Sequence, residues 1–307
     1  MQGGFINIRW APAHTYYWKR RENRCFEAMT DENQRKKQKT AGLGDGGSSS
    51  CVTSGNCIEG GGDSDFAPFS NLVTPMLTDM YQLTMCYGYW TAKRHEMTAV
   101  FDLYFRKAPF HGTFTIFGGL SQVLAFLNTY KITSKQIDYL KTLMPTANPK
   151  FFEWLATLDC SQVKVFAFKE GSVVFPREPI LRVEGPIGIC QLLETTLLCL
   201  INYASLIATN AARMRLAAGG KTLLEMGLRR AQGPDGGVSA SRYAYMGGFD
   251  ATSNVAAGEL FGIKVSGTQA HAFIQSFSSL DDLPTRRLRR PAAGKGGAER
   301  EEEHIYI

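Results

Sequence analysis

Charge is scarce in this 307-residue chain, at 20% of residues, and none falls between Thr195 and Ala212. A run of that length raises the question of a membrane span. It also holds Thr195, Thr196, Asn202, Ser205, Thr209 and Asn210, with Glu194 directly before it. It therefore reads as a buried core helix, and no membrane is expected. Cysteine is sparse and unpatterned. There are seven, an odd number, scattered without any Cys-x-x-Cys. That excludes a metal finger or a disulfide framework and points to a reducing compartment, the cytosol. The first 40 residues lack the apolar core of a secretory signal, and Glu22, Glu27, Asp31 and Glu32 argue against a mitochondrial leader. The net charge of +6 is modest and lies partly in the terminal segments. No nucleic-acid partner is inferred from it.

What is present is a globular composition, 44% hydrophobic. Residues 1–65 read as a poorly ordered extension. Ala41 to Asp65 is dense in Gly and Ser and has almost nothing large to bury. The basic clusters at 19–21 and 35–37 read as part of a solvated tail. Residues 66–218 read as an α+β domain with a long core helix. Thr78-Asp79 suits a helix start with a capping hydroxyl and an acid in the first turn. Met80, Leu83, Thr84 and Tyr87 follow at helical spacing, and Tyr81 falls off that stripe. Ala99–Phe105 alternates as a half-buried strand, with Asp102 on the polar face. Helices are expected over 120–130, 134–143 and 191–218. Short strands are expected at 163–168, 172–175 and 180–183, close in sequence and so antiparallel.

After residue 218 the grammar changes to a β/α pattern. Leu223–Leu228 reads as a strand ending in Arg229-Arg230, and Gln232-Gly-Pro-Asp-Gly-Gly237 breaks the backbone at once. A fixed cation before a glycine loop can hold an anion. It can also be a strand edge with solubilising charge. A helix around 249–260, capped by Asp250, and a strand at Lys264–Ser266 complete a parallel βαβ unit. Ligands of such units lie beyond the carboxyl ends of the strands, where Arg229, Thr268 and His271 fall. Residues 219–282 thus read as a partial α/β barrel and residues 283–307 as a disordered tail.

Six separated strings carry a resemblance: Leu77-Thr-Asp-Met-Tyr-Gln82, Leu193-Glu-Thr195, Asn210-Ala-Ala-Arg213, Glu225-Met-Gly-Leu-Arg-Arg-Ala-Gln-Gly-Pro-Asp-Gly-Gly237, Gly247-Gly-Phe-Asp250 and Gly267-Thr-Gln-Ala-His271. Together, over about 72–279, they resemble nicotinate phosphoribosyltransferase of the animal type. The resemblance implies formation of nicotinate mononucleotide from nicotinate and phosphoribosyl diphosphate, the first step of NAD synthesis from nicotinate. ATP hydrolysis is coupled to it, with Mg²⁺ or Mn²⁺ as the metal. It implies a cytosolic homodimer, with an N-terminal α+β domain, an irregular (β/α) barrel and active sites where subunits meet. By motif, His271 matches the phosphorylated histidine, and Tyr81 the tyrosine that the partner subunit stacks on the pyridine ring. Arg229 matches an arginine of the substrate and phosphate pocket, and Thr268 a nicotinate contact.

A complete barrel of eight units takes ~250 residues, and Leu223 to Ile307 offers roughly a third of that. The chain is therefore expected to be truncated on its C-terminal side, with an incomplete barrel and without the family's later metal-site acids. The competing functional expectation is an inactive fragment that at most pairs with a full-length subunit. Within the superfamily the nicotinamide-using enzyme is the runner-up, and the string at 225–237 favours the nicotinate branch.

Overall fold

The structure, a computed structural model, describes residues 5–8 and 69–282. The sequence expectations for the rest of 1–65 and for 283–307 lie outside the described residues. Two compact units are present, the first reaching Val265 and the second beginning at Ser266.

The first unit is built on a four-stranded antiparallel sheet in the order β1-β2-β6-β4. Its strands are β1 (Phe5–Ile8), β2 (Thr98–Tyr104), β4 (Lys164–Ala167) and β6 (Leu181–Pro186). The antiparallel expectation holds. β1, which pairs Phe5 with Tyr104 and Ile8 with Phe101, was not expected in that extension. A second antiparallel pair joins β3 (Thr115–Ile116) to β5 (Val173–Val174).

Phe101, Leu103 and Phe105 face the core as the alternation predicts. Asp102 does not face solvent. It is 6% exposed and sits directly across from Arg182 on β6. The guanidinium donates Nε to Oδ1 at 2.7 Å and Nη2 to Oδ2 at 2.9 Å. A two-point fork of this kind lets the pair accept burial.

The helices of this part are α1 (Met80–Thr91), α2 (Leu120–Thr129), α3 (Ser134–Leu143) and α4 (Pro149–Thr157). Local chemistry sets their starts. Thr133 and Gln136 form a reciprocal capping box at α3. At α4, Asn148 caps and Pro149 occupies the first helical position. α1 differs from expectation. Asp79 is its N-cap residue but makes no side-chain cap, and its first turn holds no acid. The buried face is Gln82, Leu83 and Cys86, while Met80 and Thr84 are exposed. The stripe is rotated because Gln82 is drawn inward by polar partners on the next helix.

That next helix, α5 (Ile187–Ala218), is the spine of the molecule. It is the one helix among the described residues long and apolar enough to cross a membrane. Here it packs on β2, β3, β6, α1 and α2, with Leu193, Leu197 and Ile201 fully buried. At fixed area, burial of each such side chain contributes about 1.5–3 kcal/mol.

Beyond α5 come β7 (Leu224–Glu225), α6 (Gly233–Met246), β8 (Ala251–Thr252) and α7 (Val255–Phe261). β7 and β8 are parallel, and Val265 adds a parallel bridge to Thr252. The β/α character holds, but the elements are shifted. The Gly-Pro-Asp-Gly-Gly run is the first turn of α6, where Pro234 suits a position whose N–H needs no partner. Asn254 caps α7, its side chain accepting from the Ala257 N–H. Asp250 is not the cap. It is paired with Arg215 and accepts the Leu223 N–H. These units do not close into a barrel among the described residues.

In the second unit, a short helix α8 (His271–Gln275) follows an irregular segment.

Candidate functional site

The expected anion loop is built in three steps. β7 is only two residues long, so the chain leaves the sheet early. It turns at Gly227 into a single 3₁₀ turn, Leu228–Arg230. Arg229 therefore stands in a turn just past the strand, not on the strand itself. The turn is closed by the Arg230 N–H donating to the Gly227 carbonyl at 2.8 Å. Leu228 packs against Gly237 of α6, where an added Cβ would stand 2.6 Å from Leu228 Cδ1. This explains a glycine inside a helix, where the residue ordinarily costs stability. Arg229 and Arg230 are exposed. Neither guanidinium has a hydrogen bond or ion pair among the described residues.

Beneath the turn lies a polar network in which the half-buried Glu225 meets buried partners. Its Oε1 accepts the Gly227 N–H at 2.5 Å. Its Oε2 accepts Ser241 Oγ at 2.8 Å and Thr252 Oγ1 at 2.6 Å. Asn254 closes the ring, donating Nδ2 to Ser241 Oγ at 3.1 Å and its N–H to Thr252 Oγ1 at 3.0 Å. Ser241, Thr252 and Asn254 are each 1% exposed. Sequence reading missed all four residues as a group. The available signal was one carboxylate, Glu225, inside an apolar run, since a buried charge requires partners.

Tyr81 sits on the first turn of α1 and is 47% exposed. The turn is fastened to α5 on both sides of it. Thr195 Oγ1 donates to Asp79 Oδ2 at 2.9 Å, and Gln82 Nε2 donates to Glu194 Oε2 at 2.9 Å. Gln191 donates to both Gln82 and Glu194. Partial burial, and next the Glu194 carboxylate, push the Tyr81 phenol above its usual range. The phenol thus stays neutral and half-exposed, with Thr195 and Gln82 beside it.

Thr268 and His271 lie in the second unit. Both are exposed, and His271 opens α8. In the first unit, no hydrogen bond joins Tyr81 to Arg229. Among the described residues no group of three or more His, Cys, Asp or Glu could hold a metal ion.

Residues 76–202 match the nicotinate phosphoribosyltransferase N-terminal domain. Nicotinate phosphoribosyltransferase 2 of Arabidopsis thaliana is 54% identical over 239 residues, 78% of this chain and 43% of that protein. The Homo sapiens nicotinate phosphoribosyltransferase is 53% identical over 224 residues, 72% of this chain and 41% of that protein. The crystal structure of human nicotinic acid phosphoribosyltransferase superposes with a TM-score of 0.63 at 53% identity, covering 72% of this chain and 45% of that one. The chain thus spans about two fifths of the length of these curated relatives.

Proposed function

We propose, from the premise that this chain is a homologue of the nicotinate phosphoribosyltransferases, that it serves the joining of nicotinate to phosphoribosyl diphosphate in NAD synthesis. In that reaction the pyridine nitrogen attacks C1′ of the ribose and pyrophosphate departs. The demand on the protein is positioning and cationic charge on the diphosphate more than a strong base. One observation carries the reading: an exposed guanidinium without an ion pair, Arg229, held past a parallel strand by a turn that is pinned at both ends. Arginine is suited to the role because its planar fork stays charged and meets phosphate oxygens in pairs.

The other assignments follow by motif. Tyr81 stacks on the pyridine ring, supplied to the site of a partner subunit in a cytosolic homodimer. Thr268 contacts nicotinate. His271 is the residue phosphorylated when ATP hydrolysis is coupled to the transfer.

A second reading is that the chain alone does not turn over and acts only with a full-length subunit. The open β/α units favour it. Val255, Leu260 and Val265 are 71%, 55% and 46% exposed, and strand edges and apolar faces left uncovered need a partner. One assay separates the two readings. Purified chain is supplied with labelled nicotinate, phosphoribosyl diphosphate, ATP and Mg²⁺, alone and mixed with a full-length relative. Turnover by the chain alone at ~1 s⁻¹ or more, an ordinary enzyme rate, overturns the second reading. If the chain is active, His271→Ala is expected to abolish ATP stimulation; unchanged stimulation would remove His271 from its role.

A further inference from the structure

We propose that Glu225 is a positioning residue for the anion-binding turn, acting through the Gly227 N–H; this rests on the reading of Arg229 as a phosphate ligand. The carboxylate is divided between two tasks. Oε2 is taken up by the Ser241 and Thr252 hydroxyls, which belong to α6 and β8 and are buried. Oε1 points the other way and accepts the Gly227 N–H. The Glu225 carbonyl is held as well, by the Ser253 N–H at 2.8 Å. Two elements, α6 and β8, thus fix the orientation of one side chain, the backbone carbonyl beside it is held from Ser253, and the side chain in turn holds the residue that opens the turn.

From Gly227 the constraint passes directly to the cations. Gly227 is the N-cap of the turn, with φ −95° and ψ 0°. Its N–H is bound by Glu225 and its carbonyl by the Arg230 N–H, so the residue entering the turn has both of its backbone polar groups satisfied. Arg229 lies between these anchors. An exposed arginine loses side-chain freedom when it grips a phosphate. A fixed backbone lowers the remaining cost, and Glu225 supplies that fixity without touching the ligand.

The chemistry requires a carboxylate. Both oxygens accept, and neither donates. In Glu225→Gln the amide has one acceptor oxygen. If that oxygen stays with the hydroxyls, the NH₂ meets the Gly227 N–H, donor against donor. If it turns to Gly227, the NH₂ meets hydroxyl oxygens that already accept from Asn254. The turn loosens in the first case and the α6–β8 junction in the second. Gly227→Ala reaches the same oxygen without altering the network's charge. A Cβ there would stand 3.2 Å from Glu225 Oε1, closer than ordinary contact, so the carboxylate must shift by a few tenths of an ångström.

The test is inorganic pyrophosphate binding to chain 1–307 by calorimetry, beside thermal melts of each variant. Arg229→Ala is expected to weaken binding about tenfold or more, the loss of a charge-assisted contact. Glu225→Gln is expected to weaken it about tenfold, and Gly227→Ala about threefold with the fold intact. The double variant Glu225→Gln, Arg229→Ala is expected to bind no more weakly than Arg229→Ala, because both changes act on one contact. Leu140→Ala, a core change in α3, should lower the melting temperature and leave affinity unchanged. If Arg229→Ala weakens binding while Glu225→Gln and Gly227→Ala only lower the melting temperature, Glu225 is structural and the inference falls alone. If Glu225→Gln fails to fold, Gly227→Ala decides by the same criterion. No pyrophosphate binding by the parent chain, or full binding by Arg229→Ala, overturns the anion reading and the inference with it. Additive losses in the double variant overturn the inference.

Discussion

The two halves of the first unit are built on opposite economies. The α+β part has a six-residue strand pairing at its centre, a continuous core from Leu83 to Ile201 and one buried, two-point ion pair. The β/α part after α5 has two-residue strands, a single added bridge and apolar side chains such as Val255 left in solvent. Beside a small apolar cluster around Tyr243 that packs on α5, it is tied together by a polar ring of Glu225, Ser241, Thr252 and Asn254. Apolar burial gives stability without direction, whereas a satisfied polar network fixes atoms in one arrangement. The exposed cations stand on the second kind of structure.

The largest effect that would sharpen this contrast is Asp102→Ala. It takes the facing carboxylate from a mostly buried guanidinium and should cost about 3–5 kcal/mol, read as a fall in chemical-denaturation stability. A loss under 1 kcal/mol would mean that solvent reaches the pair freely. Next is Arg229→Lys. It keeps the charge and loses the fork, so pyrophosphate affinity should fall several-fold, by roughly 1 kcal/mol, with the melting temperature unchanged. A lower melting temperature with normal affinity would turn Arg229 into a structural residue.

The smallest effect is acid sensitivity at Asp250. The Leu223 N–H, and then Arg215, hold its carboxyl below the ordinary value of 3.8. A carboxyl lowered in the folded state binds fewer protons there than in the unfolded chain. Its contribution is therefore complete above pH ~4 and is lost as pH falls through the lowered value. Asp250→Asn should flatten the acid limb of stability below pH ~4. An unchanged limb would show that the pair with Arg215 does nothing in solution.

Much of the first half was legible because local rules and burial agree there. α3 begins and ends where its periodicity and its Thr133–Gln136 box place it. The sheet strands follow from alternation and close spacing. The rest was hidden by long-range partners. Asp102 looked solvent-facing because Arg182 is 80 residues away in sequence. The stripe of α1 rotated because Gln82 bonds Glu194. The glycine run that opens α6 read as a break because nothing local shows Leu228 occupying the space over Gly237. At the candidate site, Arg229 was visible as a cation before glycines. Glu225 was in plain view in the same string, but its partners Ser241 and Thr252 come from elements that only the fold brings to it.

Hydrogen exchange of chain 1–307 with and without inorganic pyrophosphate tests the central claim most directly. Without ligand, the amides of β2, β6 and the buried half of α5 should exchange slowest, near the global limit, and those of 226–231 much faster. Added pyrophosphate should slow exchange at 226–231, the Gly227 amide foremost, and leave β2 and β6 unchanged. No change at 226–231 on saturation with pyrophosphate, or the same change throughout the chain, would contradict the account.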